Sequence, residues 1–208
     1  MEPSKDFSGT WVLTDLSNRS SDHFKAPKDL TQLTALDKAR LDSLDVDNDP
    51  YFRCIDIPAP RVALASAGFH FTRSGKTLDI THEYSKRHRL IHMDGAPMPA
   101  RFKPDRDGWS VGHLEPDGTL IVETSGFAPT PWGIAIGLDS SGQKRVVERY
   151  KLDADGLGIS VSYTITDPVY LTAPYTVTGH YKKVVDYPFP AEPPCDPKTA
   201  SRFPISRR

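Results

Sequence analysis

Cysteine is almost missing from this chain: Cys54 and Cys195 are the only two in 208 residues. They lie too far apart in sequence for a metal knuckle or a CxxC redox pair. They read either as two separate thiols or, in an oxidising compartment, as a disulfide tying the C-terminal tail to the early chain. An excess of one charge is also missing. The 26 basic and 27 acidic residues are spread evenly, so no basic face is presented and neither nucleic acid nor an anionic membrane is expected as a partner. No apolar run approaches the ~18 residues of a membrane helix. The opening "MEPSKDFSGTW" has neither a basic n-region nor an apolar h-region, so a cytoplasmic protein is expected, unless a leader has been removed. A Gly-rich phosphate loop, a G-x-S-x-G elbow and a dinucleotide fingerprint are all absent. Nucleotide chemistry and serine hydrolysis are therefore unsupported, and no cofactor is expected.

What is present is strand pattern. "FSGTWVLTD" (7–15) alternates around Trp11 and reads as a first strand. "LTALDKARLDSLD" (33–45) places Leu33, Leu36, Ala39 or Arg40, and Leu44 on one helical stripe and predicts one short helix. Prolines make 47–61 an extended loop. "RVALAS" then reads as a strand, and three hairpins follow, turned at "SGK" (74–76), "PDG" (116–118) and "ADG" (154–156). "APTPWGIAIGLDSSGQ" (128–143) stands between the second and third, and "YTVTGHYKKVV" (175–185) closes the series. The prediction is an all-β chain in one domain over 1–208, an antiparallel barrel with a short N-terminal helix and a Pro-rich tail over 187–208 wrapping its surface.

Four phrases in order carry a resemblance: "DPYFRCIDIPAPR" (49–61), "HEYSKRHRLIHMDG" (82–95), "GWSVGHLEPDGTLIVETSGF" (108–127) and "TDPVYLTAPYTV" (166–177). Together they resemble a bacterial family of lipocalin-like proteins of unassigned function, many of them secreted. The resemblance spans most of the chain and implies a calycin-type barrel without supplying an activity. The chain departs from that family in three places. Trp109 replaces a histidine, "EPDGTL" is one residue longer than its counterpart, and 128–143 replaces a histidine-bearing loop. These departures point to a specialised pocket.

Residues two apart on a strand share a face. In "RHRLIHMD", His88, Leu90, His92 and Asp94 fall on one face and Arg89, Ile91 and Met93 on the other. Val111, His113 and Glu115 align, as do Val146, Glu148, Tyr150 and Leu152; Ile159, Val161, Tyr163 and Ile165 make an inward apolar stripe. Ionisable groups among apolar residues on several strands make a mixed pocket, suited to a small molecule. Glu83 and His92 are the expected acid and base, Arg89 and Tyr84 the groups holding an oxygen, and His113 a support. A salt bridge between Glu83 and Arg89 that merely closes the barrel is the structural alternative. Trp109, Trp132, Phe127, Met93, Tyr150 and Tyr163 are the expected substrate wall. His92-x-Asp94 and His113-x-Glu115 together could serve zinc or iron, but neither belongs to a longer ligand motif, and the preferred expectation has no metal.

The functional expectation is a cofactor-independent lyase or isomerase acting by proton transfer on a small, largely apolar aromatic or polycyclic compound. A non-enzymatic binder of a hydrophobic ligand is the runner-up, and a metal-dependent barrel enzyme comes third. Either of the first two leaves room for a homodimer.

Overall fold

The computed structural model describes residues 6–16, 32–42, 44–65, 68–83 and 88–187, together with Asp196 and Lys198. Eleven strands run β1 (Gly9–Leu16), β2 (Gly68–Ser74), β3 (Thr77–His82), β4 (His88–His92), β5 (Trp109–Leu114), β6 (Leu120–Ser125), β7 (Thr130–Ala135), β8 (Leu138–Ser140), β9 (Arg145–Leu152), β10 (Gly158–Thr166) and β11 (Tyr175–Val184). Two helices, α1 (Ala35–Asp42) and α2 (Arg61–Ala65), precede β2. Nine strands close a barrel in the order β1-β11-β10-β9-β6-β5-β4-β3-β2, and β7 and β8 pair separately.

The closure follows from turn chemistry and alternation. Gly75, Gly118 and Gly156 sit at φ +56°, +83° and +71° in the turns of the three expected hairpins, a region that glycine enters without the Cβ clash. On each strand every second residue faces inward, so Trp11, Phe69, Phe71, Ile80, Ile91, Tyr150, Tyr163 and Tyr181 are buried in one core. Phe69 stands at its centre, its ring centroid 5.2 Å from Phe71, 4.9 Å from Tyr181 and 5.9 Å from Tyr150, all edge-to-face. These are the geometries that aromatic quadrupoles favour.

Two expectations about the fold are corrected. The barrel is mixed, because β4 and β5 pair in parallel through Ile91↔Ser110 and His92↔Val111. Residues 93–108 carry Gly95, Pro97, Pro99 and Pro104, which deny a tight hairpin; the segment instead returns to the starting end of β4, as a parallel pair requires. The stretch 61–65, read as a strand, is the short helix α2. Pro58 and Pro60 precede it, and their carbonyls accept from the Val62 and Leu64 amides at 2.9 and 3.2 Å; a short apolar run after prolines suits a helix start as well as a strand. The segment 128–143 contains the β7–β8 hairpin. Of the first predicted helix, Ala35–Asp42 is helical. The expected extended tail falls outside the described residues apart from Tyr187, Asp196 and Lys198. Cys54 is disulfide-bonded, and Cys195 is the only other cysteine of the chain.

At the end where β6 and β10 finish and β9 begins, α1, α2 and the β7–β8 hairpin build a cap. Its anchors are charged. The Lys144 ammonium donates to the carbonyls of Ala59 at 2.8 Å and Gly133 at 3.1 Å, and lies 4.1 Å from the Phe127 ring centroid. Burial pushes this amine down to about 7, against the opposing pull of Asp167 and Asp107. Arg61 and Asp49 form a buried ion pair, with the Arg61 guanidinium 5.6 Å from the Trp132 ring. The far end of the barrel holds a cleft of about 20 Å³ lined by Phe7, Arg73, Leu78 and Met93, room for about one water.

One backbone prediction belongs here. Gly108 has φ +65°, and a Cβ there would sit 2.6 Å from the Ser125 carbonyl oxygen. Gly108→Ala therefore combines a disfavoured conformation with a clash against backbone at the start of β5. Urea unfolding is expected to show a loss of about 1–3 kcal/mol; wild-type stability would show that this junction yields freely.

Candidate functional site

The alternation that fills the barrel also drives charge into it. On β4, Arg89 points inward beside Ile91, and on β9 Glu148 points inward between Val146 and Tyr150; all five are buried. An isolated charge in such a place would cost far more than any strand could return. The two meet across the lumen. Arg89 Nη2 lies 2.9 Å from Glu148 Oε1 and 2.7 Å from Oε2, and Nη1 donates to Ser110 Oγ at 3.0 Å and Thr124 Oγ1 at 3.1 Å. The two hydroxyls are 2.9 Å apart, and the Tyr150 hydroxyl donates to Glu148 Oε1 at 3.0 Å.

Register explains why these groups share a level. Ser110 opposes Thr124 across β5–β6, Thr124 opposes Val146 across β6–β9, and Glu148 opposes Tyr163 across β9–β10. On the other side Arg89 opposes Ile80, two residues before the inward-facing His82. A polar belt thus runs from β3 to β10 through an otherwise apolar core. The Tyr163 hydroxyl lies beside that of Tyr181.

The electrostatics fix protonation states. Burial works against the Arg89 charge, but Glu148 and Tyr150 hold its pKa above the ordinary value. Burial, then the Arg89 charge, pushes His82 down to about 3, so its imidazole is neutral at physiological pH. Burial and then Glu148 raise Tyr150 well above the normal phenol range; burial and then Tyr181 do the same to Tyr163. Among the described residues, two buried nitrogens of the belt, His82 Nε2 and Arg89 Nε, have no hydrogen-bond partner, and Glu148 Oε2 meets Arg89 only outside hydrogen-bond geometry. Buried polar atoms are rarely left so.

The expected site residues divide accordingly. Arg89, Tyr150 and Tyr163 are in the belt. Glu83, at the end of β3, is half-buried and accepts from the Tyr187 hydroxyl at 3.1 Å; the ion partner of Arg89 is Glu148 instead. Tyr84 lies outside the described residues. His92 faces out of the barrel and stacks on Trp109 with centroids 3.9 Å apart and planes 11° apart, while the Trp109 indole donates to the Ala96 carbonyl at 3.2 Å. His113 is exposed on the outer face, and Glu115 beyond it pairs with Arg149 at 2.7 Å. Met93 lines the far-end cleft, Phe127 sits under Lys144 and Trp132 packs on Arg61 in the cap. Among the described residues no three His, Cys, Asp or Glu side chains assemble as metal ligands. Glu148, His82, Ser110, Thr124 and Tyr181 complete the belt and were not among the expected residues.

No protein-family model matches the chain, and no curated protein matches it.

Proposed function

We propose that the polar belt is an acid–base site, and that the protein is a cofactor-independent lyase or isomerase built on a lipocalin-like barrel. One observation carries this reading: a fully buried Arg89–Glu148 pair, with unpartnered atoms beside it, occupies a layer that apolar side chains would fill at lower cost. In this reading Arg89, held by Ser110 and Thr124, pairs with Glu148 in a dry interior. Glu148 Oε2 takes a proton from the substrate's carbon acid, because Oε1 accepts hydrogen bonds from both Tyr150 and Arg89 whereas Oε2 meets Arg89 alone. Neutral His82 and the Tyr163–Tyr181 pair hydrogen-bond the oxygen on which charge develops. A largely apolar aromatic or polycyclic compound would have to part the rings of Phe69, Phe71 and Tyr181, which pack edge-to-face beside the belt, and the same apolar surroundings support the second reading, a binder that releases its ligand unchanged. The disulfide at Cys54 favours an oxidising compartment over the cytoplasm.

The test is proton exchange at carbon. In D₂O, the wild type is expected to speed deuterium uptake at the α-carbon of a neutral aromatic ketone, with 2-tetralone as the first probe, followed by proton NMR. Tyr150→Phe, which deletes only the hydroxyl on Glu148, should slow this by about 10- to 100-fold in a folded protein, the lower end of what one acid–base contact contributes. Binding of the ketone without exchange would favour the binder, and equal exchange by wild type and Tyr150→Phe would remove the belt from the chemistry.

A further inference from the structure

The cap contains a second oddity, separate from the belt. Helix α1 has eight residues, and its one buried side chain is an acid, Asp37. Asp37 is 0% exposed, and among the described residues neither carboxylate oxygen has a hydrogen-bond partner. The apolar side chains of the helix anchor it weakly, since Leu36 is 51% exposed and Leu41 only half-buried against Gly137.

The groups around Asp37 offer it little. From its own helix comes Arg40, but that guanidinium is engaged by Asp139 of β8 and lies 5.6 Å from the Tyr170 ring centroid. Asp139 faces Asp37 as a like charge, its other oxygen accepting from the Trp132 amide at 2.9 Å. Asp167, in the turn after β10, is also a like charge, and its oxygens accept from the Ser141 amide at 2.6 Å, the Ser141 hydroxyl at 2.8 Å and the Val169 amide at 3.2 Å. An ionised Asp37 is therefore desolvated between two carboxylates, whereas a protonated one is merely a small polar group.

We propose that α1 is a pH-released lid: with Asp37 protonated it lies docked on the β7–β8 hairpin and the 167–172 turn, and with Asp37 ionised it lifts and uncovers the cap. The lid stands on the geometry of the cap alone and does not depend on the function assigned to the belt. Burial, then Asp139, raises Asp37 from 3.8 to about 6. A raised folded-state value means that docking is strongest below 3.8 and is lost as pH rises through about 6. The opening equilibrium of the lid then grows about tenfold between pH 5 and pH 7.

Amide hydrogen exchange of the full chain reads this directly. After correction for intrinsic exchange rates, the amides of 35–42 are expected to show an opening constant about tenfold larger at pH 7 than at pH 5, with β9 and β10 unchanged. Asp37→Asn, which mimics the protonated carboxyl, should stay closed at both. Asp139→Asn, which removes the like charge and frees Arg40, should shrink the tenfold difference. Equal opening of the wild type at both pH values would overturn the lid, as would a pH response that survives in Asp37→Asn or remains undiminished in Asp139→Asn.

Discussion

Replacing Arg89 by methionine is expected to lower the unfolding free energy by about 3–5 kcal/mol, because the substitution leaves Glu148 charged, buried and without its cation. Ser110 and Thr124 cannot compensate. Both are hydroxyls 2.9 Å apart that currently satisfy Arg89, and among the described residues the one remaining donor to Glu148 is the Tyr150 hydroxyl at 3.0 Å. Urea unfolding at pH 7 measures the loss. A variant within 1 kcal/mol of wild type at pH 7, on the order of an exposed ion pair, would mean that the pair is not desolvated.

His82 carries the second large effect. Its folded-state value of about 3 lies below its ordinary 6.5, so the folded barrel excludes a proton that the unfolded chain binds. The resulting stability is fully present above 6.5 and is lost as pH falls towards about 3, at about 1.4 kcal/mol per pH unit. Asp37 acts in the opposite sense from 3.8 to about 6, so the wild-type curve alone conceals both. The difference between His82→Leu and wild type isolates the histidine. Relative to wild type, the variant should gain about 1.4 kcal/mol for each unit below pH 6.5 until about pH 4. Parallel stability curves for the two proteins would place a charged, solvated histidine at position 82.

How much of this was legible beforehand depends on which physical rule governs each element. The hairpins are written in local chemistry, a glycine between two alternating runs, and they stand where the turns predict. The parallel pairing of β4 with β5 is not local: nothing in 93–108 says to which strand, or in which direction, the chain returns. Alternation also assigned Arg89 to the face opposite His92, and Glu148 to the stripe of Val146 and Tyr150. What it could not assign was which face is the inside, because both faces of β4 carry an apolar residue, Leu90 on one and Ile91 on the other. Choosing His92 with Glu83 put the chemistry half on the outer surface, where His92 stacks on Trp109. The signal that would have found Glu148 was available: a carboxylate inside a Val-x-Glu-x-Tyr stripe needs a buried cation, and Arg89 stands in a matching stripe beside Ile91. His82 was legible in the same way, two residues after Ile80. Asp37 was not, because an aspartate in a polar helix reads as solvated until the hairpin that covers it is known.

The double variant Arg89→Met with Glu148→Leu decides whether the belt is kept for chemistry or for the fold. Removing both charges together strands neither, and apolar side chains of similar bulk then pack against Val146, Ile91 and Tyr150. The unfolding free energy of the double variant is expected to equal or exceed that of the wild type, by up to about 4 kcal/mol, while α-carbon exchange of 2-tetralone disappears. A double variant as unstable as Arg89→Met alone, or one that is stable and still exchanges the ketone at the wild-type rate, would contradict the assignment of the site.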